Sequence, residues 1–160
     1  MATSKIKALI FFFFMNLILV DFGNQIKKLS LSEFLKGYSN PVFSIEHTTN
    51  TGAAFGIFQN NSYCLSIFSG VVIFLITYFI YKKINFENKI ELFSLTLFCA
   101  GAVGNMIERL RFSYVIDYIK LNFIDFPIFN TFDIMICTGA FLYCAYILFF
   151  LKESKDENSN

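Results

Sequence analysis

Two aspartates carry the strongest chemical signal in this chain. Asp133 is the one charged residue in the apolar run 128–151, close to its start. Asp117 lies in 114–120, just beyond the end of the apolar run 92–107. An ionised Asp at the centre of a membrane helix costs about 2.5–3.5 kcal/mol, so such a residue is a functional candidate by default. Two carboxylates a few ångström apart do not both ionise cheaply, and the pair then titrates as a unit. One Asp can take a proton from water while the other gives a hydrogen bond or a proton to a scissile carbonyl oxygen. That is the chemistry of an aspartic protease. The plainer alternative has both residues capping helices or pairing with Arg109, Arg111 or Lys120, and placement alone leaves both readings open.

Other polar residues cluster near the two aspartates. Gly101, Gly104, Asn105 and Glu108 fall at i, i+3, i+4 and i+7, on one face of a helix. The small residues allow close helix packing, Asn105 adds an amide, and Glu108 and Arg109 complete the end. The same stripe also fits a packing seam that ends in an interfacial ion pair. Asn50-Thr51-Gly52-Ala53-Ala54-Phe55-Gly56 combines small residues with side chains able to bind a peptide backbone, or it is a plain turn before a helix. His47 is the single histidine and has no Cys or His nearby, so a zinc site of ordinary ligand count is not expected and His47 reads as a surface residue. Cys64, Cys99, Cys137 and Cys144 sit in or beside apolar runs without a CxxC pair and read as small buried hydrophobes.

The elements that must position these groups are membrane helices. Of 160 residues 56% are hydrophobic, and 16% are charged against roughly 25% in ordinary soluble domains. Mean hydropathy is +0.57. A soluble domain of this size could not hide so much apolar surface, and intrinsic disorder is excluded for the body of the chain. A formal net charge of +1 gives no electrostatic case for nucleic acid. Four runs, at about 6–22, 63–81, 92–107 and 128–151, read as transmembrane helices in one membrane-embedded domain spanning 1–160. The first follows Lys5 and Lys7 like a signal peptide but lacks a small-x-small cleavage site, so it is read as a retained helix. Four spans put both termini on one side. Lys5, Lys7, Lys82, Lys83, Lys89, Lys152 and Lys155 flank the spans on that side, which favours N-in, C-in.

Lys27, Lys28, Lys36, Arg109, Arg111 and Lys120 then lie outside, on longer segments. Residues 82–91 read as a short polar turn and 23–62 as a long outer loop, with a short amphipathic piece at 31–38 and a strand at 42–47. Residues 110–127 show no clear periodicity, and 153–160 form a polar tail.

Taken in order, these segments resemble the lipoprotein signal peptidases, the type II signal peptidases of bacteria. That family carries Asp-Gln-x-Thr-Lys after the first span, Asn-x-Gly-Ala-Ala-Phe before the second and Gly-Asn-x-x-Asp-Arg at the end of the third. Val-x-Asp-Phe follows, and Phe-Asn-x-Ala-Asp opens the fourth. The counterparts here are Asn24-Gln25-Ile26-Lys27-Lys28, 50–55, 104–109, Val115-Ile116-Asp117-Tyr118 and Phe129-Asn130-Thr131-Phe132-Asp133. The match runs from Ile6 to Leu151. It implies a four-helix membrane bundle with a small β-rich extracytoplasmic cradle built from the first outer loop. It implies Asp117 and Asp133 as the catalytic pair. Asn50, Gly52, Asn105, Glu108, Arg109, Asn130, Lys28 and Asn24 would line the site or hold its shape.

The implied substrate is a prolipoprotein whose lipobox cysteine already carries diacylglycerol, cleaved on the amino side of that cysteine. The substrate would approach sideways from membrane lipid at the outer leaflet of the bacterial cytoplasmic membrane. No metal or organic cofactor is implied, and the cyclic peptide antibiotic globomycin is the implied inhibitor. The chain departs from the pattern at five places, one of them Ile134, where a small polar residue is usual. At the other four, Asn24 replaces Asp, Glu108 replaces Asp, Phe132 replaces the small Ala before the second catalytic Asp, and Ser113 stands where Gly is frequent. These departures motivate an alternative: a non-catalytic or weakly active relative that grips lipidated peptides. A transporter using intramembrane Asp would need charges deeper in the bundle.

Overall fold

The computed structural model describes residues 2–53, 58–83 and 89–156. Ala54, Phe55 and Gly56 of the Asn50 motif, the centre of the 82–91 turn, and the last four residues of the tail lie outside the described residues. The element order is α1 (Ala2–Ser30), β1 (Phe43–Asn50), α2 (Ser62–Lys83), α3 (Lys89–Phe112), β2 (Val115–Leu121) and α4 (Thr131–Asp156). All four helices are long and apolar enough to cross a membrane. In lipid a helix satisfies its own backbone hydrogen bonds, which is why these apolar stretches fold as they do.

The helix α3 is the hub. Its most apolar stretch is 61% buried inside the bundle, against 17% for each of the other three. Composition explains the difference. Gly101, Gly104 and, from α4, Gly139 let the two backbones approach until a Cβ would strike the neighbour: 2.3 Å from the Phe132 carbonyl oxygen at Gly101 and 2.5 Å from the Phe98 nitrogen at Gly139. One apolar cluster gathers Ala8, Phe12, Ile80, Leu92, Leu95 and Cys99. A second, made by Ala100, Phe132 and Met135, lies beside the polar end of the bundle. Outward faces carry exposed Phe, Leu and Ile along α1, α2 and α4, as expected where lipid rather than water is the solvent.

The strands form a two-stranded antiparallel sheet, with Phe43 opposite Leu121, Ile45 opposite Ile119 and Asn50 opposite Val115. The register is irregular between Ile45 and Thr48. A pair of backbone bonds, Ile119 N–H to Phe129 O (2.8 Å) and Phe129 N–H to Ile119 O (3.1 Å), straps the segment before α4 onto β2.

Several expectations change. The helix α1 runs on to Ser30, so Asn24, Lys27 and Lys28 lie on helix and not in a loop beginning at residue 23. Gly23 sits inside it because its missing Cβ leaves room for the Phe132 ring. Residues 31–38 form turns and no amphipathic helix. The strand expected at 42–47 is Phe43–Asn50. The strand β2 was not anticipated, so the cradle draws on the segments after α1 and after α3 and not on the first loop alone. Asp133 is the third residue of α4, in its first turn, nearer the helix end than the apolar run implied. All four cysteines are free, but only Cys99 is buried; Cys64, Cys137 and Cys144 sit on outward faces.

Candidate active site

The first turn of α4 starts from Asn130, which is fully buried. Its Oδ1 accepts from the Phe132 N–H (2.8 Å) and the Asp133 N–H (3.2 Å), while the Asp133 carboxylate accepts from the Asn130 N–H at 2.9 Å. This is a reciprocal capping box, with Asn at the cap and Asp three residues on. It satisfies three amides at the helix start and fixes the Asp133 side chain at the same time.

The other end of Asn130 faces β2. Its Nδ2 donates to Asp117 Oδ1 at 2.7 Å and to Asn105 Oδ1 at 3.1 Å. Asn105, from the α3 stripe, donates to Asp133 Oδ1 at 2.7 Å. Asn50, the last residue of β1, donates to Asp117 Oδ2 at 2.9 Å. Asn130 therefore bonds both aspartates at once, and three amides hold the two carboxylates from α3, α4 and the sheet. Asp117 is 2% exposed. It faces inward because side chains alternate along β2 and Val115, two residues earlier, is buried on the same side.

Burial pushes the Asp117 carboxyl above the usual carboxylate range. The Asn50 hydrogen bond opposes this, the Asp133 charge adds to it, and Asn130 and Arg109 oppose it. Burial dominates, so Asp117 is held toward its protonated form. The adjacent Tyr118 phenol is also pushed up by burial, and it bonds Thr131 through its hydroxyl. This contact braces β2 against the start of α4 one residue beyond Asp117.

The wall of the site is built around Gly52 and Arg109. Asn50 Oδ1 accepts from the Gly52 N–H at 2.9 Å, forming a turn just past β1, and the Arg109 guanidinium donates to Gly52 O at 2.9 Å. Glu108 points the other way. One of its oxygens accepts from the Ile116 N–H at 3.1 Å, and the other pairs with Lys27 of α1. Beyond that pair, a groove of about 360 Å³ between α1 and α3 is lined in part by Asn24, Lys28, Ile107 and Arg111.

Of the ten candidate site residues named for the family pattern, hydrogen bonds join seven into one network: Asp117, Asp133, Asn50, Gly52, Asn105, Arg109 and Asn130. Glu108 lies beside it, bonded to the backbone of Ile116 next to Asp117. Asn24 and Lys28 are exposed on α1 and line the groove between α1 and α3. The lysine that turns inward, to Glu108, is Lys27, which sequence reasoning passed over. Continuing the α1 helical phase past Phe22 would have found it, since Gly23 and Lys27 fall at i and i+4 on the buried face. Phe132 is 1% exposed, and its ring lies in the notch left by Gly23 and Gly104. His47 is exposed, and its ring stands 6.4 Å from that of Tyr118. Among the described residues no group of three or more His, Cys, Asp or Glu is placed to hold a metal ion.

The sequence profile of the signal peptidase (SPase) II family matches residues 11–149. A lipoprotein signal peptidase from Clostridium tetani is 37% identical over 137 residues, covering 83% of this chain and 84% of the relative. One from Streptococcus thermophilus is 36% identical over 118 residues, covering 73% and 75%. Among solved structures, a bacterial membrane enzyme determined by the in meso method at 2.3 Å superposes with a TM-score of 0.75 at 28% identity, covering 91% of this chain and 90% of the other. A second, at 1.9 Å, gives 0.73 at 27% identity, covering 87% and 93%. With four membrane-spanning helices, a two-stranded sheet and this extent of likeness, the chain belongs to the signal peptidase II family and is a peptidase.

Proposed function

We propose that this chain is an aspartic endopeptidase that removes signal peptides from diacylglyceryl-modified prolipoproteins, cutting on the amino side of the lipidated cysteine, with Asp117 and Asp133 as its catalytic pair. The observation that carries this reading is the Asn130 side chain bonded to Asp117 while its backbone bonds Asp133. It ties together two carboxylates from different elements.

The two environments suggest a division of labour. Burial favours the protonated form of Asp117, so Asp117 gives its proton to the scissile carbonyl oxygen. Asp133, held by the Asn105 amide and the Asn130 N–H, is the partner left to take the proton of the attacking water. The water oxygen bonds to the carbonyl carbon, giving a neutral tetrahedral diol. Its collapse returns a proton to Asp117 and breaks the C–N bond, with the Asp133 proton passing to the departing amine. The products are a signal peptide with a free carboxyl end and a lipidated cysteine with a free amine. No metal or organic cofactor is required for this sequence.

A lipid-anchored substrate reaches such a site from the membrane, at the headgroup level of the outer leaflet of the bacterial cytoplasmic membrane. The proposed topology is N-in, C-in. Lys5 Nζ donates to Lys82 O at 3.1 Å, which brings the basic start of α1 and the basic end of α2 together, as the positive-inside rule favours for a cytoplasmic end. Sensitivity to globomycin belongs to the same reading. Seating of the Phe132 ring between Gly23 and Gly104 supports an active enzyme over a non-catalytic relative, because the ring fills a notch between helices.

The test is product identity. Purified protein in detergent is given a diacylglyceryl prolipoprotein, and the products are mapped by mass spectrometry. A new N-terminus at the lipidated cysteine is expected. Cleavage elsewhere, or equal cleavage of the unlipidated precursor, would overturn the substrate assignment.

A further inference from the structure

Lys27 is a cation placed among membrane helices, 8% exposed, and the family pattern as matched here assigns its role to the next residue. Its ammonium lies 5.5 Å from the centroid of the Phe132 ring and pairs with one oxygen of Glu108. The other Glu108 oxygen accepts from the Ile116 N–H at 3.1 Å. Ile116 is bonded directly to Asp117 in the chain. Each link has a sequence cause. Gly23 and Gly104 lack the Cβ atoms that would strike the ring, so the ring lies flush between α1 and α3. The ring then offers its face to the lysine one helical turn beyond Gly23. Glutamate, one methylene longer than aspartate, spans from α3 to both the lysine and the β2 backbone.

We infer that Lys27, held between the Phe132 ring and the Glu108 carboxylate, is a positioning residue that sets the backbone of β2 and through it the place of Asp117. The inference rests on the reading of Asp117 as a catalytic carboxyl. Lys27 does not touch the reacting atoms. It neutralises Glu108, which would otherwise be a lone buried charge, and keeps that carboxylate where its second oxygen meets the strand. The departures Glu108 and Phe132 then form one adjusted unit and not two independent defects.

The experiment compares wild type with Lys27→Met, Lys27→Arg, Glu108→Gln and the Lys27→Met/Glu108→Gln double variant. The kcat and KM are measured on a diacylglyceryl prolipoprotein, and the melting temperature is taken for each protein. Lys27→Met is expected to lower kcat about 10²-fold with KM within about twofold, the signature of misplaced catalytic geometry. Lys27→Arg should restore most of the rate. The double variant should be no slower than the slower single variant, because both substitutions break the same unit.

Unchanged kcat in Lys27→Met, a rise in KM alone, multiplicative losses in the double variant, or a rate loss that tracks loss of folded protein would each overturn the inference. Should Lys27→Met fail to fold, Phe132→Leu removes the aromatic platform while keeping an apolar filler. A reduced kcat there supports the inference, and a wild-type kcat overturns it. Wild-type protein that cleaves nothing would overturn the function reading, and this inference with it.

Discussion

Removing the Phe132 ring tests how this chain accommodates a benzyl group where its family pattern has alanine. The ring is 1% exposed, and a Cβ built on Gly23 or Gly104 would fall 2.3 Å or 2.4 Å from its edge. The notch is therefore made by backbone, which cannot close around a void as flexible side chains can. In a bilayer the unfolded reference is helix in lipid, so little water-transfer free energy is at stake and packing dominates. Phe132→Ala opens roughly 100 Å³, which at about 24 cal/mol per Å³ costs about 2.4 kcal/mol. Gly104→Ala alone overpacks the same notch and is expected to cost about 1–3 kcal/mol. The double variant places a methyl group in the vacated space. Its cost should fall short of the sum of the singles by at least about 1 kcal/mol. Unfolding in mixed micelles, followed by pulse proteolysis, reads all four proteins. Additive costs, or a Phe132→Ala protein as stable as wild type, would refute the notch as described.

Three further outcomes follow from the same geometry. Ser113 ends α3 at φ 65°, with its N–H bonded to Arg109 O at 2.9 Å; Ser113→Gly should add about 1 kcal/mol of stability with cleavage unchanged, and a loss of stability would count against a left-handed cap there. Asn130→Ala removes the cap of α4 and the bond to Asp117 together, so it should cost about 1 kcal/mol in stability and about 10²-fold in kcat; a cap loss with an unchanged rate would detach Asn130 from catalysis. Folding raises the Asp117 carboxyl, so between the ordinary carboxylate range and that raised value the native protein holds a proton the unfolded chain has lost. Stability from this group is therefore present at low pH and falls as pH rises through that window, by no more than about 1.4 kcal/mol per pH unit. Equilibrium unfolding of Asp117→Asn should lack that part of the slope, and identical slopes would contradict the burial argument.

Much of this was legible in the sequence because lipid imposes simple rules. Four apolar runs gave four helices, and the i, i+3, i+4, i+7 stripe of α3 proved to be both packing seam and site. Its glycines meet α4 while Asn105 and Glu108 carry the hydrogen bonds. The aspartates could be placed at one end of the bundle from span boundaries alone. What stayed hidden depended on tertiary partners. The strand β2 mixes Asp117 and Lys120 with apolar residues and gives no clean alternation, because Asp117 is buried by amides and Tyr118 by α4. The helix α1 passes its apolar run by two turns, since one face of its polar end, carrying Gly23 and Lys27, is buried against Phe132 and Glu108. Lys28 was picked out by its place in the family motif, whereas the helical phase of α1 turns Lys27 inward. Phe132 looked like an obstruction until Gly23, far away in sequence, was placed beside it.

The most direct measurement of the central claim is a gel-shift cleavage assay with a diacylglyceryl prolipoprotein, comparing wild type with Asp117→Asn and Asp133→Asn at equal folded concentration. Cleavage by wild type, lost in both variants while precursor binding is retained, is the expected result. Cleavage at the wild-type rate by either Asn variant would contradict the assignment of these two carboxylates as the catalytic pair.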